Sequence, residues 1–354
     1  MKALILSGGK GTRLRPITYT GAKQLVPVAN KPILFYTIEA VKAAGITDIG
    51  IVVGDTHEEV EAAVGNGERW DVKITYIQQD APLGLAHAVK ISQDFIQDDA
   101  FVMYLGDNLI KDGIISFVDE YCESDANAQI LLAHVPNPQS FGVAELEGGR
   151  VVRLIEKPKQ PPTDLALVGV YMFDASIFEA VNAIKSSARG ELEITDAIQY
   201  LVDHSYKVNS HIITGWWKDT GKLEDMLEAN RIILDGIKRD VLGEVDENSD
   251  VAGRVKIGKG SRIINSCLRG PAIIGEGCII ENAFIGPYTS INDRCKIISS
   301  EVEHSIILED SQILGIGSRL EDSLIGKNVR IDKDHKKPKA YRMMVGDNST
   351  VSVI

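Results

Sequence analysis

KALILSGGKGTRLRP, residues 2 to 16, places an apolar run directly before a loop with three glycines, one threonine and three cations. A turn needs only one or two glycines, so glycine together with Lys10, Arg13 and Arg15 indicates backbone N–H groups and positive charge converging on an anion. The run KALIL is typical of a short buried strand. We therefore predict a phosphate-binding loop at the carboxyl end of a strand, with a surface hairpin bearing incidental charges as the alternative.

Two familiar phosphate motifs are absent from this loop. The dinucleotide fingerprint G-x-G-x-x-G would need a third glycine at position 14, where the chain has Leu14. A Walker A loop would need Gly-Lys followed by serine or threonine after a four-residue gap, and no such sequence occurs. The loop is therefore expected to bind phosphate in a different way.

The rest of the first 240 residues alternates strand-like and helix-like segments. This alternation is typical of βαβ units that build an α/β domain around a mostly parallel, Rossmann-like sheet. Ligands of such sheets bind beyond the carboxyl ends of the strands, where the glycine loop and the sequence GDN (106 to 108) both lie. The strand-like segments are 48 to 53, 73 to 79, 100 to 105 and 128 to 135, and helical patterns cover 84 to 96 and 113 to 124.

Beyond the polar stretch VLGEVDENSD (241 to 250) the pattern changes to a repeat of about six residues. An inward aliphatic residue every sixth position, often followed by glycine, predicts a parallel β-helix, although a sandwich of short irregular strands is the alternative. We therefore predict two domains, 1–240 and 241–354. The repeating aliphatic residues are Ile257, Ile263, Leu268, Ile274, Ile280, Ile285, Ile291, Ile297, Val302, Ile307, Ile313, Leu320, Ile325 and Ile331.

Composition and charge narrow the classes of function. The 354 residues are 44% hydrophobic and 25% charged, as in globular proteins, and the net charge of −12 argues against nonspecific binding to nucleic acid or to an anionic membrane. The first 38 residues nevertheless carry six cations and no acidic residue, which indicates a local anion site. The four cysteines have no metal-type spacing, so we expect reduced thiols in a cytoplasmic protein.

Two aspartates are candidate metal ligands. Asp107 ends the apolar run AFVMYLGD, and Asp219 follows the strand-like HIIT within GWWKDTG. Either could simply cap a turn. Beside a phosphate loop, however, the pair would offer the hard oxygen ligands that Mg²⁺ prefers. Because more than 100 residues separate them, their pairing is a hypothesis about the fold.

Eight short motifs occur in the order found in sugar-1-phosphate nucleotidylyltransferases, and the chain resembles most the long thymidylyltransferase form of that family. The resemblance covers nearly the whole chain and implies that the β-helix is left-handed. It also implies a Mg²⁺-dependent reaction of dTTP with glucose 1-phosphate that releases pyrophosphate, carried out by a homo-oligomer. The motifs are GGKGTRLRP, KQLVPVANKP, QQDAPLGLA, GDN, FGV, EKP, ARGELEITD and WWKDTG.

The resemblance also implies roles for individual residues. Those of the catalytic step are Arg13, Lys23 and Lys157. Asp107 and Asp219 would hold Mg²⁺. The nucleotide would be bound by Leu6, Gly8, Gly9, Gly11, Thr12, Arg13, Gln79 and Gly84, with Gln79 and Gly84 at the pyrimidine edge. The sugar phosphate would be bound by Gly142, Glu156, Lys157, Gly169, Tyr171 and Arg189.

The chain departs from the shorter thymidylyltransferases at four positions in the base and sugar pockets: Leu83, His87, Phe141 and Lys218. Thymine and uracil differ by one methyl group, worth only about 1 to 3 kcal/mol in an apolar pocket. Uridylyl transfer from UTP to glucose or N-acetylglucosamine 1-phosphate is therefore an alternative, and a noncatalytic nucleotide-sugar sensor is another. An acyltransferase activity of the β-helix would have His304 as its one plausible histidine.

Overall fold

The computed structural model describes residues 1–9, 11–19 and 21–333. Lys10 of the predicted phosphate loop lies outside these ranges. The part of the predicted second domain that follows position 333 also lies outside them. Within the described ranges, no helix combines the length and the apolar character needed to cross a membrane.

The first 235 residues alternate strands and helices, as the sequence predicts. The segment 84 to 96 forms two helices rather than one, with Ser92 between them. The strands are β1 (Lys2–Leu6), β2 (Pro27–Val28), β3 (Lys31–Pro32), β4 (Asp48–Val53), β5 (Lys73–Gln78), β6 (Phe101–Leu105), β7 (Asn108–Ile110), β8 (Ala128–His134), β9 (Gly142–Glu147), β10 (Arg150–Glu156), β11 (Leu165–Phe173), β12 (Val208–Ile212) and β13 (Trp217–Asp219). The helices are α1 (Ile33–Ala43), α2 (His57–Val64), α3 (Leu85–Ile91), α4 (Gln93–Ile96), α5 (Ile115–Cys122), α6 (Ile177–Ala183), α7 (Ile194–Asp203) and α8 (Leu223–Asp235).

Nine of these strands form one mixed sheet. Its central path runs β10-β9-β11-β6-β1-β4-β5, and β8 joins β11 to β12. Strands β6, β1, β4 and β5 are parallel neighbours, whereas β11 runs antiparallel to β6, β8 and β9. In the parallel part, the carboxyl ends of β1, β4, β5 and β6 therefore lie at one edge of the sheet, and the glycine loop begins at this edge.

Helices cover both faces of this sheet, so β1 is buried on both sides. Leu4 and Leu6 point into the core shared with α3, α6 and α7, while Ala3 and Ile5 point into the core shared with α1, α2 and α5. Successive side chains of a strand alternate between faces, and a strand buried on both faces reads as a continuous apolar run. This explains why KALIL has no polar residue after Lys2.

The second part of the chain coils into three parallel sheets, in which each strand pairs with a strand of the next coil. The partner is the third strand along the chain through most of the coil, and the second strand along the chain in the last two pairs. The three-face coil is a parallel β-helix, and the irregular sandwich considered from the sequence is excluded. One face contains β14 (Asp240–Val241), β17 (Val255–Ile257), β20 (Ala272–Ile274), β23 (Thr289–Ile291), β26 (Ile306–Ile307) and β28 (Leu324–Ile325). The second contains β15 (Glu244–Val245), β18 (Arg262–Ile264), β21 (Ile279–Glu281), β24 (Lys296–Ile298), β27 (Gln312–Leu314) and β29 (Arg330–Asp332), and the third β16 (Asp250–Ala252), β19 (Cys267–Arg269), β22 (Phe284–Ile285) and β25 (Glu301–Val302).

The predicted aliphatic residues form the core of this coil. Eleven of the fourteen form one buried hydrophobic cluster, and Leu320, Ile325 and Ile331 are partly buried and pack against it. Residues of successive coils stack directly, as Ile263 does on Ile280 and Ile280 on Ile297. The six-residue period therefore corresponds to one face of the coil. The left-handed sense of the coil and the domain boundary at position 240 stay predictions.

Two neighbouring isoleucines of β21 provide a test of this register. Ile280 is fully buried, whereas the side chain of Ile279 faces outward and is partly exposed. We expect Ile280→Ala to lower the free energy of unfolding by about 2 to 4 kcal/mol, because it leaves a cavity in the column. Ile279→Ala should lower it by less than about 1 kcal/mol. Thermal melting of both variants checks the order, and equal losses would contradict the register.

The β-helix packs against the first part of the chain through its first face. Ile306 and Leu308 share a hydrophobic cluster with Leu14 of the glycine loop and with Met226 of α8. Asn230 of α8 is fully buried at this contact and donates a hydrogen bond to the Tyr288 carbonyl. The glycine loop therefore rests partly on the β-helix.

Candidate active site

The glycine loop turns immediately after β1 and folds back against Lys23. Gly11 has a φ of +59°, and a methyl group there would lie 2.9 Å from Cβ of Lys23. Both the backbone angle and the close approach favour glycine. Thr12 and Arg13 follow in a short 3₁₀ helix, Thr12–Leu14, whose buried Leu14 anchors it. The loop thus carries Arg13 to the open end of the sheet with its side chain 58% exposed.

The fold brings the two predicted metal ligands together beside two cations. Asp107 follows β6, and Asp219 ends β13, which pairs with β7 so that Asp219 lies opposite Asn108. Lys23 forms a short hydrogen-bonded ion pair with Asp107, and its Nζ lies 3.6 Å from Oδ1 of Asp219. Arg13 Nη2 lies 3.6 Å from the other carboxylate oxygen, Oδ2 of Asp219. Arg13, Lys23, Asp107 and Asp219 therefore form one charge cluster.

Burial and charge act in opposite directions on this cluster. Burial alone would lower the pKa of Lys23, but Asp107 and Asp219 raise it above its ordinary value. Burial alone would raise the pKa of Asp107, but Lys23 holds it below the ordinary value. The pKa of Asp219 is raised by burial and by the nearby Asp107 charge. Asp219 is therefore the less well compensated of the two carboxylates.

These two carboxylates fit a magnesium ion that also binds phosphate. Oδ1 of Asp219 is buried and accepts no hydrogen bond from any residue of the described ranges. Across the same ranges, no group of three or more His, Cys, Asp or Glu residues forms a metal cage. Mg²⁺ is commonly bound by one or two carboxylates together with substrate phosphates, rather than by the protein alone. The donor set matches that arrangement.

The charge cluster lies in a cavity of about 890 Å³, whose wall also contains all six predicted sugar-phosphate residues. Glu156 ends β10, and its Oε1 lies 3.5 Å from Nζ of Lys157 and 3.5 Å from Nη2 of Arg189. Burial raises the pKa of Glu156, although Lys157 and Arg189 counteract the shift. The predicted residues in this wall are Gly142, Glu156, Lys157, Gly169, Tyr171 and Arg189.

Three carboxylates surround Arg189. Glu193 accepts two hydrogen bonds from it, at 3.1 Å from Nε and 2.9 Å from Nη2, and Glu191 lies 3.0 Å from Nη2. Glu193 is only 6% exposed, so the pair is held in a largely buried position. A bidentate arginine–carboxylate pair has a fixed geometry. The guanidinium is therefore held in a fixed orientation at the cavity wall by the protein alone.

The residues predicted for the nucleobase lie next to the glycine loop but do not line this cavity. Gln79 follows β5, and a methyl group on Gly8 would lie 3.2 Å from its Oε1. Leu6 is the last residue of β1, and its carbonyl accepts a hydrogen bond from the Gly106 amide. Of the predicted nucleotide residues, Gly9, Gly11, Thr12 and Arg13 line the cavity. Leu6, Gly8, Gln79 and Gly84 lie outside its wall.

Gly84 lies where the residues predicted for the nucleobase meet the loop that contains Arg189, which is predicted for the sugar phosphate. Its φ is +103°, and a methyl group there would lie 2.3 Å from the carbonyl oxygen of Leu192. That carbonyl accepts a hydrogen bond from the Ala86 amide, and the Leu192 amide donates to the Leu83 carbonyl at 2.7 Å. The loop around Gly84 is therefore joined to the Arg189–Glu193 loop by backbone hydrogen bonds.

We expect Gly84→Ala to raise KM by at least about tenfold for dTTP and for glucose 1-phosphate, the substrates that the resemblance implies. The reason is that backbone strain and the contact with Leu192 displace both loops. Gly45→Ala is the matched control, since Gly45 has a φ of +80° but no atom within 4 Å of an added methyl group. Both variants place an alanine at a positive φ, but only the one at position 84 meets Leu192, and steady-state kinetics compares the two. Equal KM values in the two variants would contradict this connection.

Two side chains that support Asp107 were not identified from the sequence. Trp217 Nε1 donates to Asn108 Oδ1 at 2.6 Å, and Asn108 Nδ2 donates to Asp107 Oδ1 at 2.9 Å. Both residues line the cavity, as do Phe141 and Lys218. The motifs GDN and WWKDTG contain them, but only the pairing of β7 with β13 brings them together. The hydrogen bonds from Trp217 to Asn108 and from Asn108 to Asp107 orient the Asp107 carboxylate.

His304 of the β-helix lies apart from this cavity. Its Nδ1 is 2.5 Å from Oδ1 of Asp322, and its ring packs edge-on against Tyr288. It is not among the residues that line the cavity. The ion pair with Asp322 on the outside of the coil is a sufficient structural role for His304. An acyltransferase role stays a hypothesis.

A cavity with paired cations, two carboxylates and a glycine loop, at the carboxyl end of an α/β sheet, defines a nucleotidyltransferase catalytic domain. The chain belongs to the nucleotidyl transferase family, whose family model matches residues 2–236. It is therefore an enzyme of nucleotidyl transfer with an appended β-helix.

Individual relatives agree with this assignment. The chain is 55% identical over 355 residues to a glucose-1-phosphate thymidylyltransferase of Streptomyces antibioticus, covering 100% of this chain and 99% of the relative. It is 46% identical over 358 residues to the low-salt glycan biosynthesis nucleotidyltransferase Agl11 of Haloferax volcanii, covering 100% of both. A solved structure from Bacillus anthracis that also carries the thymidylyltransferase name is 36% identical, with a TM-score of 0.62, and the match covers 66% of this chain and 94% of that chain.

Proposed function

We propose that this chain transfers a thymidylyl group from dTTP to glucose 1-phosphate, forming dTDP-glucose and releasing pyrophosphate. The observation that carries the proposal is the division of one cavity into two charged regions. Arg13, Lys23 and the two aspartates form one region, and Glu156, Lys157 and Arg189 form the other. The identity with the Streptomyces thymidylyltransferase extends over both.

The chemistry requires no general base from the protein. The phosphate oxygen of the sugar phosphate is already ionised at neutral pH and attacks the α-phosphorus of the nucleotide. The new P–O bond forms as the bond to the departing pyrophosphate breaks, with attacking and leaving oxygens in line. The protein must therefore align two anions and balance the negative charge that gathers on them.

Within this proposal, Lys23 lies near the α-phosphate and Arg13 contacts the departing phosphates. Lys23 suits the role because it is only 7% exposed and two carboxylates keep it protonated. Arg13 suits its role because it lines the same cavity and its side chain is largely exposed, which leaves its guanidinium accessible to the departing phosphates. Asp107 and Asp219 would hold Mg²⁺, which supplies positive charge to the phosphates when it is bound.

The sugar is expected to bind at the other end of the cavity. Glu156 would accept hydrogen bonds from the sugar hydroxyls, since its carboxylate is partly buried and faces two cations. Lys157 and Arg189 would bind the sugar phosphate. Gly142, Gly169 and Tyr171 would shape the pocket. A methyl group on Gly142 would lie 2.7 Å from Cγ2 of Thr195, so this wall allows no side chain at that position.

Pyrophosphate release in the presence of Mg²⁺ and glucose 1-phosphate tests the proposal, with dTTP, UTP, GTP, ATP and CTP offered in parallel. Preference for dTTP is the expected result. Preference for UTP would keep the chemistry and reassign the enzyme as a uridylyltransferase. No release with any nucleotide, despite tight nucleotide binding, would favour the sensor. Self-association of the chain stays a prediction, and sedimentation equilibrium measures it.

A further inference from the structure

The side-chain amide of Gln79 is held in one orientation by two neighbours. Its Nε2 lies 3.3 Å from the Gly84 carbonyl oxygen and 3.1 Å from Nδ1 of His87. A carbonyl oxygen can only accept a hydrogen bond, so the atom facing it must be the amide nitrogen. The amide oxygen then points the other way, toward the glycine loop at Gly8.

The same geometry assigns the proton on His87. Because Nε2 of Gln79 donates, Nδ1 of His87 must accept, and the ring is neutral with its proton on Nε2. Burial and the Lys90 charge lower the pKa of His87, while Asp80 opposes this shift. These are the charged groups that act on the ring among the described residues. Neutral pH therefore favours the accepting form of the ring.

We propose that His87 is a positioning residue for base selection: its neutral ring holds the Gln79 amide so that the carbonyl oxygen faces the nucleobase, and protonation releases the amide. The inference rests on the proposed function, which places Gln79 at the base. His87 itself lies behind Gln79, on the first turn of α3, and does not line the cavity.

The orientation of the amide determines which bases fit. Thymine and uracil present an N3–H donor, which an amide oxygen accepts. Cytosine presents an unprotonated N3, which would face that oxygen without a hydrogen bond. A site built to hydrogen-bond a donor disfavours a base that lacks it, because buried polar atoms are left unpaired. When His87 is protonated, its Nδ1–H and the Gln79 amide nitrogen are two donors facing each other, so His87 opposes the amide orientation that the Gly84 carbonyl favours.

Three substitutions at position 87 separate these states. His87→Gln restores an accepting oxygen that does not titrate, His87→Leu removes the acceptor, and His87→Lys provides only donors. His204→Leu is the matched control, because His204 is an exposed histidine stacked on Tyr200, at the end of α7. Pyrophosphate release with dTTP and with dCTP, from about pH 8 to about pH 5.5, gives KM and kcat for each variant.

The wild-type KM for dTTP is expected to rise as the pH falls below the ordinary histidine range, because the pKa of His87 is lowered, with kcat changing by less than about twofold. The upper limit of the rise is the KM of His87→Leu, expected to be about tenfold above the wild-type value at neutral pH. His87→Leu should show the raised KM at every pH, and His87→Lys should also lose most of the preference for dTTP over dCTP. His87→Gln should keep the low KM for dTTP, and its KM should not increase as the pH falls. The terminal nucleotide phosphate titrates in the same range, so the residual slope in His87→Gln measures that contribution.

Unchanged KM and unchanged dTTP preference in His87→Leu would overturn the proposal, as would a fall in kcat alone. Metal-free binding of dTTP and dCTP, measured by calorimetry, separates this inference from the proposed function. If wild-type enzyme released no pyrophosphate with any nucleotide, the proposed function would fail. The binding preference of the variants would still decide the role of His87.

Discussion

Asp107→Asn is expected to lower turnover by about 10²- to 10³-fold, because it removes one of the two carboxylates that would hold Mg²⁺ and leaves Lys23 without its closest partner. The amide keeps the shape of the side chain, so the fold should persist. Binding of dTTP without metal should change by less than about threefold, since the glycine loop and Arg13 are untouched. Turnover is measured by pyrophosphate release at saturating substrates, and binding by calorimetry.

Asp98→Asn is the matched control for this variant. Asp98 is an exposed aspartate just before the amino end of β6, whereas Asp107 lies just beyond the carboxyl end of the same strand. It should turn over like the wild type. A thermal melt of both variants excludes unfolding as the cause. Unchanged Mg²⁺-dependent turnover in Asp107→Asn would remove Asp107 from the metal site.

Part of the charge cluster could be predicted from the sequence, because Arg13 and Asp107 lie in short motifs that follow strand-like runs. The strand periodicity placed the glycine loop and Asp107 at the same edge of the sheet. Asp219 was harder to place, because it reaches the cluster only through the pairing of β13 with β7. That pairing spans more than 100 residues and has no periodic signal. The sequence alone could therefore only offer it as a hypothesis.

The β-helix was predictable for a different reason. Its six-residue period is a local pattern that recurs at fourteen aliphatic positions, and each of them predicts the residue that faces the interior of the coil. The contact between the β-helix and the glycine loop was not predictable, because no repeat marks the face that docks. Leu14 and Ile306 are ordinary core residues in sequence, and only the folded structure places them in one cluster. Long-range packing between domains leaves little trace in a single sequence.

Asn230→Leu is expected to lower the free energy of unfolding by about 3 to 6 kcal/mol, because two hydrogen bonds of Asn230 cross to the β-helix and a third stays within the first part of the chain. Oδ1 of Asn230 accepts from the Ala29 amide at 2.9 Å and from Ser290 Oγ at 2.5 Å. Its Nδ2 donates to the Tyr288 carbonyl at 2.9 Å. Leucine has a similar size but satisfies none of these three groups, each of which costs about 1 to 3 kcal/mol when buried without a partner.

The consequence should extend to catalysis. Leu14 packs in the hydrophobic cluster at this contact, so a loosened β-helix removes support from the loop that carries Arg13. We expect the melting temperature to fall by on the order of 10 °C and KM for dTTP to rise. Ser290→Ala removes one of the two donors to Oδ1, and its effect should be about 1 kcal/mol.

Asn182→Leu serves as the control, because Asn182 is exposed and donates one hydrogen bond, to the Phe178 carbonyl of its own helix, α6. It should melt within about 2 °C of the wild type and keep its KM. If Asn230→Leu also melted like the wild type, the hydrogen bonds of Asn230 with Ser290 and Tyr288 would not hold the β-helix in place. If it melted early but kept its KM, the glycine loop would be independent of the β-helix, and the appended domain would contribute to stability alone.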